Sequence, residues 1–179
     1  LVGLTAGAHS QLIEVQPEPG TTWGWAPAAA VTAKTHMISA ANPVAVEAGL
    51  QMLRAGGSAA DAVIAVQLVL NLVEPQSSGL GGGAFVLHWD AAGKTLKSYD
   101  GRETAPAAAK PDRFLVNARP MNFGDAIFGG ASVGVPGTLR LLEDLHRAHG
   151  RLAWAQLFGP AIRLAEEGFR VSPRLHWLL

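Results

Sequence analysis

Glu74-Pro75-Gln76-Ser77-Ser78-Gly79-Leu80-Gly81-Gly82-Gly83-Ala84-Phe85 joins a strongly apolar segment to one that reads as a strand. Five of these residues, Pro75 and four glycines, shape backbone, and none is an obvious catalyst. A glycine cluster between two regular elements lets main chain approach another strand or a ligand closely. Gly79, Gly81 and Ala84 satisfy the G-x-G-x-x-G/A pattern. The dinucleotide fingerprint, however, needs strand, glycine turn and then helix, so that phosphate meets a helix N-terminus. Here the helix comes first and the strand last, and no Lys-Ser or Lys-Thr pair follows to complete a P-loop. The run is read as a tight connection that sets a hairpin beside a buried helix. Ser77 and Ser78 lack a Gly-x-Ser-x-Gly elbow and are read as capping or turn residues.

Upstream, Asn42 offers an N-cap and Pro43 the first helical position; Val46, Leu50 and Leu53 keep helical spacing until Gly56. Ser58 and Asp61 resemble a capping box and open a second helix, which runs to about Val73 and stops ahead of Pro75. Its apolar residues lie all round, so burial on most faces is expected. Met37 to Ala41 is a short strand candidate. Residues 1–35 are rich in Ala, Pro and Thr without a clear period and are read as an extended arm. Within it, Leu1 to Ser10 resembles the tail of a signal sequence that lacks a positive start.

Downstream, Ala84 to Trp89 and Thr95 to Tyr99 flank Asp90-Ala-Ala-Gly-Lys94 as a hairpin. Ala105 to Ala131 is expected to be mostly loop, with helical turns near Pro111 to Leu115, and Ser132 to Val135 to be a strand. Helices are expected from Thr138 to His149, capped by Gly150, and from Trp154 to Glu167, capped by Gly168. Ser172 and Pro173 start a further helix, and a helix begun at the last residues suggests a fragment. Helix pairs with antiparallel strands indicate α/β or α+β layering.

The 179 residues carry equal numbers of acidic and basic side chains, 14 of each, with no basic block, so nucleic acid and anionic membrane are poor candidate partners. Without cysteine there is no disulfide or thiolate chemistry, and compartment stays open. The longest apolar run, Ala62 to Val73, is too short to cross a bilayer core of about 30 Å. Glu143, His146 and His149 share a helix face and could hold a metal; the alternative is a solvated helix end that attracts histidine through the dipole. Arg102 follows Tyr99-Asp100-Gly101 where strand gives way to loop. A guanidinium there can fork onto a carboxylate, as a lysine cannot, or can pair locally with Asp100 or Glu103.

Asn42-Pro43 with its helix, Gly56-Gly57-Ser58-Ala-Ala-Asp61, Val73 to Gly83, Arg102-Glu-Thr-Ala-Pro106, Ser132-Val-Gly-Val-Pro-Gly137 and Gly168-Phe-Arg-Val-Ser172 together resemble the γ-glutamyltranspeptidase family, in the family's order, from Met37 to Leu179. The resemblance implies an N-terminal-nucleophile hydrolase. Such a protein is a precursor that cuts itself into a large and a small subunit packed as a four-layer αββα sandwich. Residues 36–179 resemble the front of the large subunit, incomplete without the rest. It implies γ-glutamyl transfer or hydrolysis on glutathione and related amides, by a threonine that opens the small subunit. No threonine of this chain stands in that context, so no catalytic residue is assigned here, and no cofactor or metal. Arg102 aligns with the arginine that grips the α-carboxylate of the γ-glutamyl group, and Glu103 is a second candidate that orients it. The implied partners are the small subunit, the remainder of the large one and a γ-glutamyl substrate; the implied location is periplasmic or secreted. The alternatives are a glutaryl-cephalosporin acylase of the same family and a non-catalytic binding or structural module.

Overall fold

The computed structural model describes residues 30–179, and residues 32–179 form one unit. The arm expected over 1–35 and the signal-like start at Leu1 to Ser10 lie outside the described residues, apart from 30–35, which form neither helix nor strand.

Helix α1 spans Pro43–Arg54 and α2 spans Ala59–Val73. Asn42 caps the first by accepting a hydrogen bond from the Val44 N–H, with Pro43 in the first turn where its missing donor costs nothing. Ser58 and Asp61 close a reciprocal capping box on the second. Gly56 follows α1 at φ 86°, a left-handed conformation that ends the helix at little steric cost. The buried face of α1 is Ala45, Ala48, Gly49 and Met52; Val46, Leu50 and Leu53, the stripe visible in the sequence, are only half-buried. Small residues there let α2 approach closely. A Cβ on Gly49 would stand 2.5 Å from Ile38 Cδ1 and 2.7 Å from Val66 Cγ2.

Helix α2 is the centre of the unit formed by residues 32–179, as its all-round apolar surface predicts. It packs against α1, against the later helices α4 (Thr138–His149) and α5 (Gly159–Glu167), and against the 3₁₀ turn Trp154–Phe158. Ile64, Leu68 and Val69 are buried between these layers with Leu141, Leu142 and Leu157. Buried Asp61 ties the layers together through one carboxylate oxygen, Oδ2. It accepts from the Ser58 N–H at 2.7 Å, the Arg151 N–H at 2.9 Å and the Leu152 N–H at 3.3 Å.

The hairpin forms as expected: β1 (Ala84–Asp90) runs antiparallel to β2 (Thr95–Gly101), with Phe85 opposite Asp100 and Trp89 opposite Leu96. Val86 and Tyr99 pack against the helical core. Phe85, Leu87, Trp89 and Leu96 remain 67, 72, 58 and 62% exposed. The observed architecture is the α+β layering read from the sequence, a helical layer covering one face of a hairpin.

Four expectations change. Met37 to Ala41 is irregular, because no described strand pairs with it. Ser132 to Val135 is not a strand: Gly130–Ser132 make a 3₁₀ turn, and only Val135 forms a bridge, with Thr104. The helix expected over Trp154 to Glu167 divides at Gly159. Pro160 would clash with the carbonyl four residues earlier in a continuous α-helix, and the preceding turn tightens to 3₁₀ geometry. The stretch expected as loop carries a two-residue hairpin, β3 (Leu115–Val116) with β4 (Arg119–Pro120), and the short α3 (Phe123–Ile127) capped by Asn122. Turns do cover Pro111 to Phe114, and Ser172 caps α6 (Pro173–Leu178).

Candidate functional site

Arg102 leaves β2 between two anchors. Just before it, Gly101 is packed against α4, where a Cβ would lie 2.5 Å from Leu141 Cβ and 3.1 Å from the Gly137 carbonyl oxygen. Just after it, Thr104 exchanges hydrogen bonds with Val135. The Arg102 N–H donates to Asp100 Oδ1 at 2.9 Å, which folds the backbone into a tight turn. The side chain is 67% exposed, and its Nη1 donates to Glu103 Oε2 at 2.8 Å. Arg102 therefore makes the local pair foreseen for it, which engages part of a five-donor fork.

Glu103 is the better fixed of the two. A Cβ on Gly83 would overlap its carboxylate and would stand 2.8 Å from its backbone nitrogen; one on Gly134 would stand 2.9 Å from its Cβ. The glycine run thus works at one end. Gly83 makes room for Glu103, and the Gly82 carbonyl accepts from the N–H groups of Gly137 and Thr138 at 3.0 and 3.1 Å, holding the start of α4. Gly79 and Gly81 face open space. The run precedes a strand and opens no helix, so the phosphate-cradle geometry is absent. Ser78 Oγ accepts from Gln67 Nε2 at 2.7 Å, in keeping with a turn role.

Arg102, Glu103 and Thr104 line an open concavity of about 320 Å³, continued by Pro106, Arg113, Phe114 and residues 131–134. It combines two guanidinium groups and the Glu103 carboxylate with hydroxyl and apolar walls, a lining suited to a small molecule that carries an anionic group. Arg113 was not anticipated. It reaches carbonyls 17 and 18 residues further along, Gly130 and Ala131, which no local spacing reveals.

The three side chains considered as a metal set point to different partners. His146 Nε2 lies 2.9 Å from the Leu152 carbonyl oxygen, which can only accept, so Nε2 carries the proton. His149 stacks on His88 with ring centroids 3.7 Å apart and meets the Tyr99 hydroxyl at 2.6 Å. Glu143 pairs with Arg140 and Arg147. Among the described residues no group of three His, Cys, Asp or Glu could hold a metal ion. Burial lowers the His149 pKa from its ordinary 6.5; the neighbouring His88 and Lys97 charges act in the same direction and Asp90 opposes.

A family model described as gamma-glutamyltranspeptidase matches residues 45–179. The glutathione hydrolase proenzyme of Bacillus subtilis (strain 168) is 43% identical over 140 residues, which are 78% of this chain and 24% of that protein. Helicobacter pylori gamma-glutamyltranspeptidase superposes with a TM-score of 0.79 at 31% identity, covering 84% of this chain and 43% of that one. A cephalosporin acylase from Bacillus halodurans superposes with a TM-score of 0.62 at 34% identity, covering 74% and 24%. The chain spans about a quarter of the length of the curated relatives it matches.

Proposed function

The chain belongs to the γ-glutamyltranspeptidase family, and on that premise we propose that it supplies the donor-carboxylate clamp of an enzyme that transfers or hydrolyses γ-glutamyl groups of glutathione and related amides. The observation that carries the proposal is Arg102, held at a strand end beside an open concavity and paired with Glu103. The γ-glutamyl α-carboxylate is planar, and a guanidinium can bind it with two parallel hydrogen bonds. Glu103 engages one edge of the fork and so orients the other. An exposed pair of this kind contributes only about 0–1 kcal/mol to stability, which makes orientation its more valuable effect.

The proposed assembly joins residues 36–179, as the front of the large subunit, to the remainder of that subunit and to a small subunit. The outward row of Phe85, Leu87, Trp89 and Leu96 supports this, because an apolar sheet face of that size calls for a covering layer. In the small subunit a leading threonine attacks the γ-carbonyl while its own α-amine takes the hydroxyl proton. The C–N bond breaks, the amine leaves with a proton, and a γ-glutamyl ester remains. Water or an amino-acid acceptor then takes the acyl group, with main-chain N–H groups stabilising the oxyanion in each half. Arg102 holds the far end of the donor throughout. A periplasmic or secreted location is proposed with the activity; among the described residues no helix is long and apolar enough to cross a membrane.

The likeness to the cephalosporin acylase favours a second reading, in which the acyl group is glutaryl. Glutaryl keeps the distal carboxylate and lacks only the α-amino group, so Arg102 serves either acyl group, and the γ-glutamyl reading ranks first on the similarity to a glutathione hydrolase and a gamma-glutamyltranspeptidase. The test is hydrolysis of a γ-glutamyl anilide by the full-length protein, with intact mass measured on the same sample. The expected outcome is turnover together with a second chain that begins with threonine. A single uncleaved chain without turnover contradicts the proposal.

A further inference from the structure

We propose that Arg113 is a positioning residue for donor binding, because it clasps the loop that walls the concavity beside Arg102. Its kinetic readout rests on the γ-glutamyl reading above; the contact does not. Arg113 Nε–H donates to the Ala131 carbonyl and Nη2 donates to the Gly130 carbonyl at 3.0 Å. These two carbonyls belong to the 3₁₀ turn that follows α3. The crown of the loop has little else to hold it in place. Gly129 sits at φ 119° and Gly130 has no side chain, and a Cβ at either would meet nothing within 4 Å. Among the described residues, Ser132 Oγ bonds within the loop, to the Ile127 and Gly129 carbonyls at 3.2 and 3.3 Å.

The far end of the same loop returns to the Arg102 segment. Residues 131–134 line the concavity, Gly134 packs on Glu103, and Val135 bridges to Thr104. A shift of the loop crown therefore moves the wall of the cavity and the support of Glu103 together. The clasp needs two donors at fixed spacing, which a planar guanidinium provides and a single ammonium on a flexible stem does not. Arg113 also brings a positive charge to the cavity, and a purely electrostatic role would survive replacement by lysine.

That difference is the test. In the full-length processed protein, Arg113→Lys and Arg113→Ala are compared with wild type for KM and kcat on a γ-glutamyl anilide and for amide hydrogen exchange over residues 127–134. Both variants are expected to raise KM by about tenfold with kcat within about twofold, and to exchange faster across the loop. An unchanged KM in Arg113→Lys overturns the proposal, whether or not Arg113→Ala folds, because charge alone is then sufficient. A raised KM with unchanged exchange overturns the clasp as its cause. If wild type turns over no γ-glutamyl amide, the functional reading fails separately, and loop exchange still decides whether Arg113 clasps the loop.

Discussion

Arg102 and Glu103 owe their geometry to residues distant in sequence: Gly83 on one side, Gly134 on the other, and the Thr104–Val135 bridge beyond. At the same scale, the pair His88–His149 joins the hairpin to the end of α4, with the Tyr99 hydroxyl against His149. Asp90, Lys97 and His88 are the charged or titratable groups that bear on His149, and its pKa lies below 6.5 in the fold. The unfolded chain then takes up the proton first. The contribution of this contact is therefore complete above pH 6.5 and is lost as pH falls through that value towards the folded pKa. Histidine-selective NMR should find the His149 titration below 6.5, and closer to 6.5 in His88→Gln. A wild-type midpoint at or above 6.5 contradicts this. Arg102 was singled out in the sequence because its five-residue context resembles a family motif. The glycine cradle under Glu103 and the Arg113 clasp were not, since both depend on proximity between residues about 17 to 31 positions apart.

Among the elements, those that announce themselves by local chemistry were legible. Asn42, Ser58 and Ser172 mark three helix starts with side chains that accept backbone N–H bonds. Where tertiary contact decides, the outcome differed. Met37 to Ala41 and Ser132 to Val135 have strand-like composition, yet neither finds a ladder partner beyond a single bridge. The inward face of α1 is set by the room α2 requires, so small residues displace the larger ones from the interface. Asp61 shows how far one cap reaches, for its Oδ2 serves α2 and the α4-to-3₁₀ connection together. Asp61→Ala removes the acceptor of the part-buried hydrogen bonds from the Ser58, Arg151 and Leu152 N–H groups and should cost about 3 kcal/mol. Asp61→Asn retains an acceptor oxygen and should cost less. Chemical denaturation of the full-length protein measures both, and equal losses contradict the hydrogen-bonding explanation.

For the whole molecule, the hairpin with one covered and one open face and the concavity at its end belong to the same arrangement: β2 carries Arg102 from the core side of the layer to the edge of the cavity. The fold class was legible because helix pairing and strand alternation both survive in the sequence. The cavity was not, because residues 105–106, 113–114 and 131–134 wall it from segments with no shared pattern. The central claim, that Arg102 reads the donor's α-carboxylate, is tested most directly by measuring KM for a γ-glutamyl anilide and for a 4-aminobutyryl anilide, which keeps the amine and lacks the carboxylate, in the full-length protein and in Arg102→Lys. The predicted result is a rise of about 10²-fold for the γ-glutamyl donor, the order expected when a charge-assisted fork to the donor is lost, with the 4-aminobutyryl value changed by less than about twofold. Equal changes for the two donors, or none for either, contradict it.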